Sequence, residues 1–158
     1  MFAKQFFAAL IALAAIVSTA VATPAVAADG VIVVASANDV KTTMDKLEKV
    51  LTSKGITIFA RIDHAAGAKS IGQTLRPMEL LVFGNPKLGT PLMQSNPTIG
   101  LDLPQKFLVW EDAAGDVFVS YNAPDYLAQR HDIGDQDEVF GRITGALNAF
   151  ATAAASAE

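Results

Sequence analysis

Residues 79–121 read ELLVFGNPKLGTPLMQSNPTIGLDLPQKFLVWEDAAGDVFVSY, and the order of elements in this stretch decides the fold. The apolar run Glu79–Phe83 predicts a strand, which the turn residues after it bring to an end. Asn85 is a suitable N-cap, and Pro86 fits the first helical position, where an amide proton would have no helical partner. A short helix is therefore predicted from this point to about Ser95.

The second half of the same stretch predicts a β-hairpin. Pro97–Pro104 is bounded by prolines and is expected to be an extended connection. Gln105–Asp112 and Asp116–Tyr121 are rich in apolar β-formers, and the short segment Ala113-Ala114-Gly115 joins them. Consecutive strands of this kind favour an antiparallel sheet over a doubly wound parallel one.

On the N-terminal side of this stretch the pattern adds a strand and a helix. Val31–Ala35 is short and rich in β-branched residues, which predicts the first strand. Asn38 or Asp39 is suited to cap a helix that runs to about Lys54, and its apolar residues recur at helical spacing. This helix is expected to bury one face against the sheet.

A second strand is predicted at Ile56–His64, because its side chains alternate between two faces. The alternation puts His64 on the core face at the end of the strand. The same face receives Ile58 and Ile62, and the opposite face receives Phe59 and Arg61. Ala65–Met78 contains two glycines and a proline, so we expect an irregular loop with at most a helical turn.

The C-terminal part predicts a long loop and a final helix. Asn122–Gly134 is expected to be the loop. Asp135 with Glu138 three residues later forms a capping pattern at the start of the helix. The alanine-rich tail after Phe150 is expected to fray.

These elements follow a β-α-β(4)-α order, with one short helix inserted between the third and fourth strands. The order predicts a two-layer α+β domain with a mostly antiparallel five-stranded sheet. Residues 28–158 suffice for one hydrophobic core, so we expect a single domain that is ordered over about residues 31–150.

The first 27 residues have the pattern of a cleaved secretory signal peptide. Lys4 supplies a positive charge, Phe6–Val17 is an apolar run, and Ala25-Val26-Ala27 offers small residues for signal peptidase. The apolar run is too short for a membrane span, which needs about 20 residues. We therefore expect a soluble protein in the periplasm or the medium, with no membrane attachment after cleavage.

The composition excludes several functional classes. The net charge is −4 and no basic stripe is present, so nucleic acid is not an expected partner. The chain has no cysteine, which excludes disulfide staples, thiol catalysis and iron–sulfur ligation. We predict no cofactor.

Both faces of the predicted sheet carry large apolar side chains. Phe59, Trp110 and Phe118 alternate with apolar neighbours, although an antiparallel sheet that shows one face to water carries polar residues there. Either the inserted helix and the loops cover this second face, or a second subunit does. A homodimer is the simpler explanation.

The segment Leu81–Asp112, with IDHAAGA at 62–68 before it and VSYN at 119–122 after it, closely resembles the domain-of-unknown-function family numbered 302. The resemblance extends from about Val31 to Phe150. It implies a fold similar to that of the TATA-binding protein, in which a long C-terminal helix crosses one curved antiparallel sheet. The family has no assigned function, so the resemblance transfers no catalytic residue.

Two histidines are the main candidates for chemistry. His64, if it reaches a pocket at the sheet rim, could act as a general base, and so could His131 in the long loop. Two histidines and a carboxylate could also hold a transition metal, but no close ligand spacing is present, and we predict no metal site. The alternative for His64 is a hydrogen-bonded anchor of the following loop, and for His131 an exposed loop residue.

The leading hypothesis is a non-catalytic module that binds a small ligand. A long helix across a sheet leaves an apolar cavity at one end, and such cavities are the usual ligand sites. The predicted lining combines aromatic groups with polar groups at the rim: His64, Arg76, Phe83, Asn85, Lys87, Tyr121 and His131. The alternatives are an enzyme with His64 or His131 as general base, and a dimeric structural or protein-interaction module.

Overall fold

The computed structural model of the chain describes residues 25–26 and 30–157. The predicted signal peptide lies outside the described residues, apart from the backbone of Ala25–Val26. The strands are β1 (Ala25–Val26), β2 (Val31–Ser36), β3 (Thr57–Asp63), β4 (Met78–Gly84), β5 (Gln105–Glu111) and β6 (Val117–Asn122). The α-helices are α1 (Val40–Ser53), α2 (His64–Ser70), α3 (Pro86–Ser95), α4 (Pro124–Arg130) and α5 (Asp137–Ala155), and a 3₁₀ helix spans Pro97–Leu101.

The strands form one antiparallel sheet in the order β1-β2-β6-β5-β4-β3. The predicted α+β class and antiparallel five-stranded sheet are therefore confirmed, and the two-residue β1 extends the sheet beside β2. The first strand of the domain, β2, pairs with the last, β6, and so lies next to the hairpin of β5 and β6. Within the described residues, no helix combines the length and hydropathy that a membrane span requires.

The hydrophobic core lies between α1, α5 and one face of the sheet. The apolar stripe of α1 is fully buried at Met44, Leu47 and Leu51. Burying each such side chain contributes about 1.5–3 kcal/mol. Helix α5 buries Ile143 and Leu147 on the same side, so the two long helices form the second layer of the fold.

The last helix differs from its prediction at both ends. Asp135 does not cap it: α5 starts at Asp137, and the Asp135 carboxylate accepts a hydrogen bond from Ser95 Oγ at 2.6 Å instead. At the other end, the alanine-rich tail continues the helix rather than fraying. Ala151 and Ala154 are buried because they are small enough to pack closely against the domain.

A β-bulge corrects the predicted faces of β3. The register with β4 shifts between Ile58 and Ala60, so Phe59 is the extra residue. Beyond the bulge the alternation is reversed, since a one-residue slip moves every side chain to the other face. Arg61 therefore lies on the helix-covered face, and Ile62 lies on the opposite face with 41% of its surface exposed.

Three short helices replace segments that were predicted to be irregular. His64–Ser70 is helical because Asp63 caps it, its carboxylate accepting from Ala66 N at 2.8 Å. His64 thus begins a helix and does not end the strand on the core face. Pro97–Leu101 and Pro124–Arg130 each carry proline in the first turn, where the missing amide proton is tolerated.

The sheet face opposite α1 and α5, here called the open face, is apolar and only partly buried. Its central residues are Trp110 and Phe118, whose rings pack at a centroid distance of 5.0 Å. The indole N–H of Trp110 donates to Ser120 Oγ at 2.9 Å. The open face also carries Val33, Leu80, Val82 and Leu108.

Candidate functional site

An apolar cleft of about 240 Å³ opens at the end of the sheet where β4 stops and β5 begins. Helix α3 forms one wall and the C-terminal half of α5 forms another. The bulge of β3 closes a third side. The lining consists of Ile56, Phe59, Phe83, Gly84, Asn85, Pro86, Leu88, Gly89, Thr90, Met93, Leu103, Pro104, Gln105, Ile143, Ala146, Leu147 and Phe150.

The turn from β4 into α3 shapes this cleft. The Asn85 carboxamide oxygen accepts from Lys87 N at 3.0 Å and caps α3, as the sequence predicts. Pro86 then occupies the first turn. A Cβ atom on Gly84 would lie 3.3 Å from the Phe59 ring and 3.5 Å from Pro104. Glycine at this position therefore lets Phe59 of the bulge and Pro104, just before β5, pack closely against β4.

Phe83 forms part of the cleft floor, and two aromatic rings pack behind it. Phe83 stacks on Phe107 at a centroid distance of 4.8 Å, and Phe107 meets the Tyr121 ring edge-on at 5.2 Å. The Tyr121 hydroxyl donates to the carboxamide oxygen of Asn148 in α5. Burial raises the pKa of Tyr121 to about 12. The Tyr121 phenol behind the floor is therefore neutral at physiological pH.

Two long side chains at the rim are exposed. Phe59 has 56% of its surface exposed and Met93 has 40%. Both are large apolar residues beside an apolar cleft, where a covering group would remove them from water at a gain of about 25 cal/mol per Å². In the described part of the chain, the residues that line the cleft include no charged side chain.

The structure brings two of the predicted lining residues into the cleft, Phe83 and Asn85. Tyr121 lies behind the floor. Lys87 is exposed on α3 outside the cleft, and Arg76 is exposed in the segment between α2 and β4. The predicted set gathered polar residues near the strand ends, whereas the observed lining is mainly side chains of α3 and α5.

His131 is buried, contrary to the exposed loop position weighed from the sequence: only 5% of its surface is accessible. Its Nδ1 lies 2.9 Å from Thr98 Oγ1 and its Nε2 lies 2.6 Å from Asp102 Oδ2. Asn96 Nδ2 donates to the His131 carbonyl at 2.7 Å. These contacts join the end of α4 to the 3₁₀ helix and its flanks.

Two cationic side chains, Arg130 and Lys106, lie near Asp102. Arg130 Nε lies 3.5 Å from the Asp102 carboxylate, and Lys106 Nζ donates to the Asp102 carbonyl at 2.7 Å. Burial lowers the pKa of Lys106 and outweighs the opposing attraction of Asp102. Asp102 is thus the anionic centre of a cationic cluster next to the cleft.

A threonine, a histidine and an aspartate in hydrogen-bond contact resemble a nucleophile with its base and orienting acid. Thr98 is exposed, but it does not line the cleft, and the Asn96 carboxamide oxygen accepts from Thr98 N at 3.0 Å. Among the described residues, the lining of the cleft includes none of these three side chains. Their contacts fasten the 3₁₀ helix to α4.

The two histidines lie at opposite ends of β5. His64 follows β3, whose last residue pairs through β4 with the end of β5 near Val109. His131 contacts Asp102, which precedes the start of β5 at Gln105. A site that uses both histidines is therefore not formed. Among the described residues, no group of three metal-ligating side chains is close enough to hold an ion.

An ion-pair cluster between α1 and the sheet serves the fold. Arg61 Nε donates to Glu79 on the neighbouring strand, and Arg61 Nη1 lies 2.7 Å from Asp45 and 3.4 Å from Glu48. Its hydrogen bond to Glu79, and then that to Asp45, raise the pKa of Arg61, although burial opposes this. Lys41 holds the other Asp45 oxygen at 2.6 Å, and these bonds keep the pKa of Asp45 low.

Sequence comparison then places the chain among known proteins. The family DUF302, described as a domain of unknown function, matches residues 32–150. The chain belongs to the DUF302 family. The family resemblance seen in the sequence is therefore confirmed.

A crystal structure of an uncharacterized conserved DUF302 protein from Bacillus stearothermophilus has the same fold. Its TM-score to this DUF302 chain is 0.72, and the match covers 82% of this chain and 100% of that one. Sequence identity is 20%, so the likeness establishes the fold alone.

Curated relatives of this DUF302 chain include proteins named fluoride-specific ion channel FluC 1. The one from Brucella suis biovar 1 (strain 1330) is 46% identical over 110 residues, which is 70% of this chain and 43% of the relative. The one from Brucella abortus biovar 1 (strain 9-941) is also 46% identical over 110 residues, which is 41% of the relative. The chain thus spans about two fifths of the length of these relatives.

The sequence interpretation missed the main wall residues of the DUF302 cleft. Leu103 and Pro104 stand in the segment that was expected to be extended, and Ala146 and Phe150 stand on the last helix. Asn96 followed by Pro97 repeats the Asn–Pro pair that starts α3, and it starts the 3₁₀ helix that precedes Leu103 and Pro104. Nothing in the sequence around Ala146 indicates that it lines a cleft, because the space beside it depends on how α5 packs against α3 and the sheet.

Proposed function

We propose that this DUF302 chain is an exported, non-catalytic module that binds a small apolar ligand in the cleft between α3 and α5. The observation that supports it is the lining: aromatic and aliphatic side chains surround the space, and polar groups stand at its edge. Ligand sites in proteins commonly have this composition.

The lining favours an uncharged ligand. No charged side chain lines the cleft in the part of the chain that the structure describes, and burial of an unpaired charge there would cost several kcal/mol or more. Asn85, Thr90 and Gln105 supply the polar groups at the edge. An apolar body with one neutral polar end fits this arrangement.

The volume of about 240 Å³ lies just below the range of about 300–1,000 Å³ that is usual for ligand sites, so a bound molecule fills the cleft and extends beyond its open rim. Phe59 and Met93 stand at the rim with much of their surface in water. A bound ligand would cover part of this surface and would gain affinity from it.

The test uses the neutral dye Nile red as a probe and a variant that fills the cleft. Ala146→Phe places a ring in the open space, whereas Ala149→Phe adds the same ring to an exposed position of α5 outside the cleft. We expect Ala146→Phe to weaken Nile red binding about tenfold or more, the loss of roughly 1.4 kcal/mol of contact, and Ala149→Phe to leave it unchanged. Equal binding by both variants and the original chain would reject the cleft as the site.

Export rests on the predicted signal peptide. The proposal is that signal peptidase cleaves after Ala27, so that residues 28–158 reach the periplasm or the medium. Mass spectrometry of the protein from each cell fraction tests this. A mature form beginning at Ala28 outside the cytoplasm supports export, and a full-length cytoplasmic form contradicts it.

The relatives named as fluoride-specific ion channels support a second role, as an accessory module in fluoride resistance. Their similarity to this chain is high, at 46% identity, and it occupies about two fifths of their length. In those proteins the matching segment belongs to the same chain as the rest of the protein, so the proposed role of this domain is accessory to fluoride transport. Deletion of the gene should increase growth inhibition by fluoride. Unchanged growth at every fluoride concentration would contradict this role.

The open face supports a homodimer. Its apolar side chains are only partly buried, and the Trp110 N–H already has a partner within the face. Most side chains of this face are uncharged, and two copies of the same face pair across a two-fold axis. The face also carries Lys106, which pairs with Val82 and whose Nζ donates to the carbonyls of Asp102 and Pro104. Sedimentation of the chain and of Leu108→Lys tests this: we expect a dimer that the lysine converts to a monomer. A monomeric original chain at high concentration would exclude it.

A further inference from the structure

The hydrogen bonds around Thr98 decide which atoms of His131 carry protons. Asn96 Nδ2 donates to the His131 carbonyl, so the other atom of this carboxamide, Oδ1, is an acceptor. The Thr98 hydroxyl lies 2.8 Å from that Oδ1 and must give it its only proton. Thr98 Oγ1 is then an acceptor toward His131, and the proton at the 2.9 Å contact belongs to His131 Nδ1.

The second ring nitrogen faces a carboxylate. His131 Nε2 lies 2.6 Å from Asp102 Oδ2, and an ionised carboxylate only accepts hydrogen bonds. Nε2 therefore also carries a proton. A histidine that donates from both nitrogens is an imidazolium cation.

We propose that His131 is a buried imidazolium that holds one wall of the cleft in place, and that its loss of one proton releases this wall. The effect on ligand binding rests on the function proposed above, whereas the protonation state does not. Deprotonation turns one of the two donors into a lone pair that faces an acceptor. Loss of the Nε2 proton places a lone pair against the Asp102 carboxylate. Loss of the Nδ1 proton makes the Thr98 hydroxyl turn from Asn96 to His131.

The charged groups around His131 come from three elements. Asp102 follows the 3₁₀ helix and supplies the counter-charge at 2.6 Å. Arg130 in α4 lies 3.5 Å from the same carboxylate oxygen, and Lys106 in β5 binds the Asp102 carbonyl. These two cations oppose a further positive charge, but Arg130 is half exposed and therefore screened. The Asp102 carboxylate is the charged group in direct contact with the His131 ring, and charge-assisted hydrogen bonds of this kind are short and strong.

Chain continuity connects this contact to the cleft. Asp102 is followed directly by Leu103 and Pro104, which line the wall. The amide protons of Asp102 and Leu103 both donate to the Ile99 carbonyl, at 2.9 and 3.0 Å. Ile99 is fully buried, so these two amides report whether the turn is intact.

The first measurement is the ¹⁵N NMR spectrum of the histidine side chains in the folded protein. The sequence has two histidines, so His64→Gln assigns the signals and serves as the control variant. We expect both ring nitrogens of His131 to be protonated at neutral pH, and one to lose its proton as the pH rises. A neutral His131 tautomer in the folded protein from pH 5 to 8, the range where histidines ordinarily titrate, would overturn the proposal.

The second measurement is amide hydrogen exchange at Asp102 and Leu103 across the same titration. Their protection should fall about ten- to hundredfold when His131 loses its proton, the effect of one charge-assisted hydrogen bond. His131→Gln should show the low protection at every pH, while His64→Gln should follow the original chain. If the protection of these two amides stays constant while His131 titrates, the proposal that deprotonation releases the wall is wrong. This comparison uses the unmodified chain alone.

Nile red binding separates the two proposals. If the imidazolium and the protection change are observed but Nile red never binds, the proposed function fails and the His131 contact stands. If Nile red binds in the cleft with an affinity that does not change while His131 titrates, the proposed ligand-binding function stands. The proposal that His131 controls the cleft wall is then rejected.

Discussion

A Cβ atom added to Gly30 would lie 2.2 Å from Cγ of Tyr126, so the tyrosine ring occupies the space that any side chain at Gly30 would need. Gly30 also has a φ of +73°, in the left-handed region. Its carbonyl accepts from Ala123 N at 2.7 Å, just before α4. This contact fixes the start of β2 against α4.

The first prediction concerns this contact. Gly30→Ala should destabilise the protein by about 2–5 kcal/mol, since the left-handed backbone costs about 1–2 kcal/mol for a residue with a Cβ and overpacking costs about 1–3 kcal/mol. Urea denaturation measures the change. Gly55→Ala is the matched control, because Gly55 has a φ of +69° with nothing near its missing Cβ. An equal loss in both variants would show that the Tyr126 contact contributes nothing.

The second prediction concerns acid stability. Asp39 caps α1, Asp45 pairs with Lys41 and Arg61, and Asp135 accepts from Ser95; each of these contacts keeps the pKa of the carboxyl below its ordinary value of 3.8. A group with a lowered pKa in the folded state contributes stability above the unfolded pKa, and this contribution is lost as the pH falls through the folded pKa. The free energy of unfolding should therefore decrease below about pH 4.

Urea denaturation at a series of pH values checks this dependence. Asp45→Asn should flatten the acid limb of the curve, because it removes one of the contributing carboxylates. Asp116→Asn, at an exposed position of the hairpin tip, is the control and should leave the limb as steep as before. An acid limb that is equally steep in both variants would contradict the role of Asp45.

The third prediction concerns alkaline titration. Burial raises the pKa of Tyr121 to about 12, above the ordinary value of 10.0. Its contribution to stability is present below the unfolded pKa and is lost as the pH rises from there through the folded pKa. The sequence has two tyrosines, so Tyr126→Phe leaves Tyr121 as the single phenol in the ultraviolet titration. We expect ionisation near pH 12 together with unfolding; ionisation near pH 10 in a folded protein would be the contrary result.

The fourth prediction concerns the C-terminal helix. Asn38 Nδ2 donates to the carbonyls of Ala154 and Ser156, at 3.2 and 2.9 Å, and Ala37 N donates to Ala155 at 2.8 Å. Asn38→Ala should destabilise the protein by about 1–2 kcal/mol, since the two carbonyls lose a shared donor. Exchange of the last amides of α5 should accelerate as well.

Lys46→Ala provides the comparison for this prediction. Lys46 Nζ donates to the Ser156 carbonyl from an exposed position, where such a bond contributes little. A loss of stability in Lys46→Ala as large as that in Asn38→Ala would mean that the Lys46 charge holds the tail as firmly as the Asn38 carboxamide does.

The sequence predicted the elements whose signals are local. Asn85 followed by Pro86 placed the start of α3 correctly, and the apolar stripe around Leu47 identified the buried face of α1. The same Asn–Pro pair at Asn96 caps the 3₁₀ helix Pro97–Leu101, although this segment was predicted to be extended. Local chemistry was sufficient at α1 and α3 but not at Asp135, whose carboxylate accepts from Ser95 instead of capping α5.

The remaining differences come from tertiary contacts. The bulge at Phe59 is imposed by the pairing of β3 with β4 and leaves no mark in a strand of alternating apolar residues. His131 is buried because Asp102 and Thr98 approach it from another segment, which the pattern around the histidine does not show. The cleft likewise depends on how α5 crosses the sheet, so only Phe83 and Asn85 were placed in it from the sequence.

Trp110 is the single tryptophan of the chain and stands on the open face, whereas the cleft lies on the helix-covered side of the sheet. Its emission therefore distinguishes two kinds of event without any label. A second molecule that covers the open face should shift the tryptophan spectrum to shorter wavelength. A compound that enters the cleft should leave the spectrum as it was, so a screen based on intrinsic emission would pass over its ligands.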